Sequence, residues 1–166
     1  MRNTVFLVAL ATSFTSASVS ASSNFNFLPA KSWENGSASH YFSFIDYDGY
    51  RAITLLVDHS KSGEQNFYIE HSVKNGSTCK AYSSRSTSVI KINGQAVKFL
   101  TFCNQFSDSK NWYQSMTPET TRGASFVVNT FKNAPKTVSV EAIDYTFNAT
   151  AVGFTKAWNN AGGNAL

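Results

Sequence analysis

Apolar and polar residues alternate with a period of two along most of this chain, the signature of half-buried β-strands. Residues 41–45 (YFSFI) and 51–57 (RAITLLV) flank Asp48-Gly49. Asp-Gly between two apolar runs predicts a hairpin, because the mirror-image turn needs positive φ. Residues 65–72 (QNFYIEHS) alternate cleanly and run out at Asn75-Gly76, and 78–82 then carries the first cysteine. Residues 89–92 (VIKI) and 96–102 (AVKFLTF) flank Asn93-Gly94, the clearest hairpin in the chain. Its second strand brings Cys103 to a position from which it reaches back to Cys79.

The second half is read the same way. Residues 124–131 (ASFVVNTF) fit two patterns. Ala124, Val127, Val128 and Phe131 lie at helical spacing, whereas the short length, the β-branched content and the turn-like Arg122-Gly123 favour a strand. The strand is preferred. Residues 137–141 and 145–152 supply two more strands, and 154–158 predicts a short terminal helix that ends at Gly162-Gly163. About eight short antiparallel strands with frequent turns predict a mainly β, single-domain β-sandwich or flattened barrel with a short C-terminal helix.

The N-terminus follows a different rule. Met1-Arg2-Asn3 precedes an apolar stretch at 5–11, and Val19-Ser20-Ala21 gives a small-x-small site. This predicts a secretory signal peptide over 1–21, cleaved after Ala21. The apolar run is far short of the ~20 residues that span a bilayer. Residues 22–38 are expected as an N-terminal arm that Phe25, Phe27, Leu28 and Trp33 dock, followed by one β-rich domain over 39–166. The expected location is the bacterial periplasm or the secreted space.

Composition supports that picture. Charged residues are only 14% of the chain, while 53 of the 166 residues are Ser, Thr or Asn and 24 are aromatic. So many aromatics argue against disorder, and the scarcity of Glu, Lys and Leu argues against a coiled coil. The two cysteines, in an exported chain with no CxxC and no Cys/His cluster, predict a structural disulfide between Cys79 and Cys103. Asn35, Asn75 and Asn148 head Asn-x-Ser/Thr sequons, glycan acceptors only in a eukaryotic secretory pathway.

The net charge of +4 is a sum of unlike segments. Residues 71–107 hold five cations (Lys74, Lys80, Arg85, Lys91, Lys98) and no acid, whereas 22–70 hold three cations and six acids. The cations, with Trp112 and Tyr113 as the aromatics set between polar neighbours, form the candidate binding patch. An anionic protein or envelope component is the partner it would suit, although lysines that deter edge-to-edge pairing explain the same charges. Export and modest charge density argue against nucleic acid.

Candidate chemistry is thin. Asp58-His59-Ser60 contains the residue types of a catalytic triad, but neighbours on a strand face opposite ways. His59 and His71 with Glu64 or Glu70 show no zinc-ligand spacing, and Asp46-Tyr47-Asp48-Gly49 opens like a calcium loop without its later ligands. No catalytic residue, metal ligand or cofactor is therefore assigned.

Residues 152–158 (VGFTKAW) resemble the end of proteins of the invasion-associated locus B family, where a final strand leads through Gly-Phe into a short amphipathic helix. The resemblance implies an exported bacterial β-protein linked to host-cell association, without a defined catalytic site. It assigns no functional residue.

The leading expectation is an exported, non-enzymatic protein that binds a protein or envelope component, including an inhibitor or immunity role against a toxin. A small hydrolase or glycan-active enzyme with an unrecognised His/Asp site is the alternative. A structural envelope or matrix protein is a third.

Overall fold

The structure is a computed structural model that describes residues 25–44, 50–81, 85–142 and 145–161. In chain order these form β1 (Phe25–Leu28), β2 (Ser37–Phe44), β3 (Tyr50–His59), β4 (Gln65–Val73), β5 (Ser86–Ile92), β6 (Gln95–Gln105), β7 (Trp112–Pro118), α1 (Thr121–Asn133), β8 (Thr137–Ala142), β9 (Tyr145–Thr150) and α2 (Phe154–Asn160). All nine strands join one antiparallel sheet in the order β1-β2-β3-β4-β7-β6-β5-β8-β9. The sheet curls into a half-barrel. Its concave face collects the alternating apolar residues, among them Ile53, Leu55, Phe67, Ile69, Phe99, Ile90 and Val140. Burying each such side chain contributes about 1.5–3 kcal/mol.

The turns behave as their dipeptides predict. Asn93 and Gly94 adopt φ of 47° and 79°, and the β5–β6 ladder runs from Ile92↔Gln95 to Ser86↔Thr101. Asn93 also reaches outside its hairpin: its Oδ1 accepts the Ser139 N–H at 2.8 Å. The turn thus docks on β8. The Asp48-Gly49 turn, the calcium-like loop at 46–49, the signal peptide at 1–21 and Gly162-Gly163 lie outside the described residues.

Residues 124–131 are helical, not a strand. α1 begins at an N-cap, Thr120, whose hydroxyl accepts the Gly123 N–H at 3.1 Å. Arg122-Gly123 is therefore the first helical turn rather than a break. The face at i, i+3, i+4 and i+7 wins because the concave mouth of the sheet needs a cover. Val127, Val128 and Phe131 are buried there, and the packing outweighs the β-propensity of the valines.

The mouth is closed by an aromatic cluster. Phe131 from α1, Phe154 from α2, Phe67 from β4 and Trp33 from the N-terminal segment stack within 4.9–6.3 Å. The segment 22–38 is accordingly part of the fold where it is described: β1 pairs with β2, and Trp33 is 6% exposed. Residues 78–81 form a loop rather than a strand.

The two ends of the open sheet meet without a backbone ladder. Trp33 N–H donates to the Val152 carbonyl at 2.8 Å, and Trp33 Nε1–H to the Thr150 carbonyl at 2.8 Å. Thr150 Oγ1–H donates to the Lys31 carbonyl at 3.1 Å, and Thr150 N–H to His40 Nε2 at 3.3 Å. Phe27 of β1 and Phe147 of β9 face each other at 5.8 Å across this seam.

Candidate functional site

The connection from β4 to β5 has an unusual task. β7 and β6 lie between those two strands in the sheet, so the chain must cross both. After the Asn75-Gly76 turn, Thr78 wedges between the ends of β4 and β7. Its N–H donates to the Trp112 carbonyl at 2.9 Å, and its Oγ1–H to the His71 carbonyl at 2.9 Å. The Thr78 hydroxyl oxygen also accepts the Gln114 N–H at 3.0 Å, and Ser77 Oγ accepts the Trp112 N–H at 2.9 Å. Cys79 then bonds to Cys103 on β6, with the Cα atoms 6.0 Å apart, so the predicted disulfide pins the crossover halfway.

β6 continues beyond β5. Ser86 pairs with Thr101, while Phe102 to Gln105 pair only with β7. Beneath the crossover, at this step, lies a hollow of about 230 Å³ lined by Thr78, Lys80, Ser86, Thr101, Phe102 and Gln114 together with the two cysteines. On the opposite face of β6 from Thr101, Arg85 stands with its guanidinium carbon 5.7 Å from the centre of the Phe102 ring. Phe102 is 37% exposed. Cation–π contact of this kind holds an arginine over an aromatic face without removing its charge.

The structure divides the candidate patch. Lys80 lines the hollow and Arg85 stands over the Phe102 ring, with Lys74 and Trp112 at the same end of the sheet, beside the Thr78 wedge. Trp112 and Tyr113 are each half-buried and lie on opposite faces of β7, where Tyr113 stacks on Phe106 at 4.5 Å. Lys91 and Lys98 belong elsewhere. Lys91 Nζ pairs with Glu141 Oε2 at 2.8 Å, directly across the β5–β8 pair. Lys98 lines a second hollow of about 330 Å³ against α1, with Arg122 and Phe126.

A third hollow, about 650 Å³, lies between the Glu34–Gly36 turn and α2. Its wall carries opposite charges, Glu34 and Lys156, and its floor is Trp33 and Ala157 of the core. No set of like charges converges there. None of these three hollows is lined by a histidine.

The histidines serve the fold. His40 is fully buried against Phe27 and Phe147. Desolvation holds its pKa below the ordinary value, opposed in part by the Ala38 and Ile53 backbone. As an acceptor for Thr150 N–H, its Nε2 is unprotonated. His71 is buried in the same cross-strand row, opposite Ile53. His59 ends β3, six residues along from that pair, or about 20 Å of strand. The zinc grouping is therefore not assembled, and no cluster of three or more His, Cys, Asp or Glu occurs among the described residues. Asp58-His59-Ser60 runs into the β3–β4 turn, where Ser60 Oγ accepts the Glu64 N–H at 3.2 Å.

Glu70 is half-buried on the opposite face of the sheet from His71. Desolvation raises its carboxyl pKa, with a further push from Asp58. Burial, and secondly Glu70, raise the Tyr113 phenol.

Comparison with known proteins finds no matching family, no similar curated protein and no matching solved structure. No described helix is long and apolar enough to cross a membrane.

Ser86, Thr101 and Gln114 were not singled out by the sequence. One signal does point to Thr101. Val97, Phe99, Thr101 and Cys103 share the core-facing parity of β6, and threonine is the polar exception among them.

Proposed function

We propose that this is an exported, non-enzymatic binding protein whose disulfide-braced crossover recognises an anionic partner in the bacterial periplasm or secreted space. The observation that carries this reading is the grouping of cations at the disulfide end of the sheet, where Lys80 lines the hollow and Arg85 stands over the part-exposed Phe102 ring. They come from the segment 71–107, which contains no acid. Charges of one sign beside a low-dielectric wall concentrate their field and attract the opposite charge. An arginine and an aromatic ring are the residue types that dominate contact energies.

The signal-like N-terminus and the cysteine usage support export, and the C-terminal resemblance to the invasion-associated locus B family supports a non-enzymatic role. The histidines point the same way, since His40 and His71 are spent inside the core.

The test is capture of partners from an envelope extract by the tagged, oxidised mature protein, beside the variant Lys80→Glu/Arg85→Glu. One stoichiometric anionic partner retained by the parent and lost by the double variant is expected. Equal capture by both forms would refute the reading.

A further inference from the structure

We propose that the seam is an acid-operated clasp: protonation of His40 parts the N-terminal segment 25–36 from β9 while the rest of the sheet stays folded. This goes beyond the binding reading and does not depend on it.

Three observations support it. First, few polar groups tie the segment to β9, because β1 and β9 are the two edges of the sheet and share no ladder. The ties converge on Thr150. Its N–H donates to His40 Nε2 at 3.3 Å, its carbonyl accepts Trp33 Nε1–H at 2.8 Å, and its hydroxyl donates to the Lys31 carbonyl at 3.1 Å.

Second, His40 is the member of this set whose bonding reverses on gaining a proton. The neutral ring accepts at Nε2, whereas the imidazolium is a donor at both nitrogens. Thr150 N–H would then face another donor. The ring is fully buried between Phe27, centred 6.2 Å away, and Phe147, at 5.0 Å. A charge in such a setting costs far more than in water. The neutral side chain is itself an expensive choice, since its Nδ1 has no hydrogen-bond partner among the described residues.

Third, no counter-ion faces the ring. β1 presents Phe27, β3 presents Ile53, and β9 presents Phe147 and Thr150. The next titratable group in the row is His71, beyond Ile53 on β4. Lys31 and, further along β3, Arg51 over the Tyr145 ring are also bases. Desolvation keeps the His40 pKa below its ordinary 6.5 while the seam is closed. The released ring titrates near that ordinary value. As pH falls below about 6.5, each unit therefore favours the open seam by up to about tenfold, until the closed-state pKa is reached. Opening uncovers Trp33 and the outer edge of β9, which the closed seam keeps from solvent.

The experiment is amide hydrogen exchange by NMR on the oxidised mature protein between pH 7.5 and pH 5, corrected for intrinsic rates. Trp33 and Thr150 N–H groups report the seam, and those of Ile90 and Val97 report the β5–β6 hairpin. Protection at Trp33 and Thr150 should fall at least about fivefold, and that at Ile90 and Val97 should hold within about twofold. His40→Gln should abolish the fall. In the parent, the His40 ring-proton signals should titrate over the same range as the protection is lost.

Unchanged protection at Trp33 and Thr150 would overturn the clasp. So would an equal loss at all four amides, which marks global unfolding. A fall that persists in His40→Gln, or a ring titration out of step with it in the parent, would overturn His40 as the trigger.

Discussion

The molecule ties its sheet together at two places, by opposite chemistry. At the seam between the N-terminal segment and β9, closure is dry: Trp33, His40, Phe27 and Phe147 fill the gap, and all four seam hydrogen bonds join neutral groups. At the disulfide end, closure is wet and covalent: a polar crossover lies over β7 and β6, pinned by Cys79–Cys103 and rimmed by Lys80 and Arg85. A buried charge would be costly at the seam, whereas at the crossover Lys80 and Arg85 are exposed. The seam therefore serves stability. At the crossover, the bond between the cysteines replaces the packing that a polar loop lacks.

The largest effect should come from the seam. Trp33→Ala removes the ring between Phe154, Phe67 and Phe131 and leaves the Thr150 carbonyl without its donor. A loss of about 3–5 kcal/mol is expected in urea unfolding. At temperatures where the variant is still folded, polyanion affinity should be unchanged. A loss below about 1 kcal/mol would show that the seam is not the keystone described here.

The disulfide comes next, and here stability and binding should fall together. Closing a loop between positions 24 apart contributes about 3 kcal/mol. Reduction, or Cys79→Ser/Cys103→Ser, should lower the melting temperature by that equivalent and weaken polyanion binding. Binding that survives confirmed reduction would separate the crossover from the site.

The two ends should also differ in pH response. Burial lowers the pKa of His40, so the unfolded chain takes up its proton more readily than the native state. The His40 contribution to stability is complete above the unfolded value near 6.5 and is lost progressively as pH falls below it. His40→Gln keeps an acceptor for Thr150 N–H and cannot titrate. It should flatten the fall in urea midpoint between pH 7.5 and pH 5. An unchanged slope would remove His40 as the cause.

The smallest effect is expected at Lys91. Its pair with Glu141 is solvent-exposed on both sides, at 52% and 37%, so Lys91→Ala should cost well under 1 kcal/mol. It should leave polyanion binding intact, since the residue lies away from the crossover. A clear loss of binding would merge the two cationic groups that the structure separates.

Much of this architecture was legible in the residues. Asn93-Gly94 marked its hairpin because only a few residue types tolerate consecutive positive φ. The alternation at 65–72 appears in β4, and the short helix after Gly153 follows the VGFTKAW pattern. β7 was not read, because its residues 112–118 (WYQSMTP) hold two adjacent aromatics and four polar or proline positions. Its pairing with β4 and β6 supplies the order that its own sequence does not show. α1 was misread for a related reason: a short amphipathic run fits either period until the surface it covers is known.

At the candidate site, the acid-free segment and the likelihood of a bond between two cysteines were visible in the chain. The grouping was not. Lys91 and Lys98 lie within the same charge run as Lys80 and Arg85, yet a strand as long as β5 or this part of β6 sets its ends about 20 Å apart.

By itself, then, the order of residues determined what is local: turns at Asn-Gly, strands of alternating polarity, and a charge imbalance along the chain. Backbone sterics and side-chain periodicity act over a few residues and need no distant partner. Only the tertiary structure decided that the β4–β5 connection crosses two strands, that 124–131 becomes a helix, and that Lys80, Arg85 and Phe102 gather at the disulfide end of the sheet. Those outcomes depend on which surfaces remain to be covered once the sheet has curled, and no local stretch of sequence carries that information.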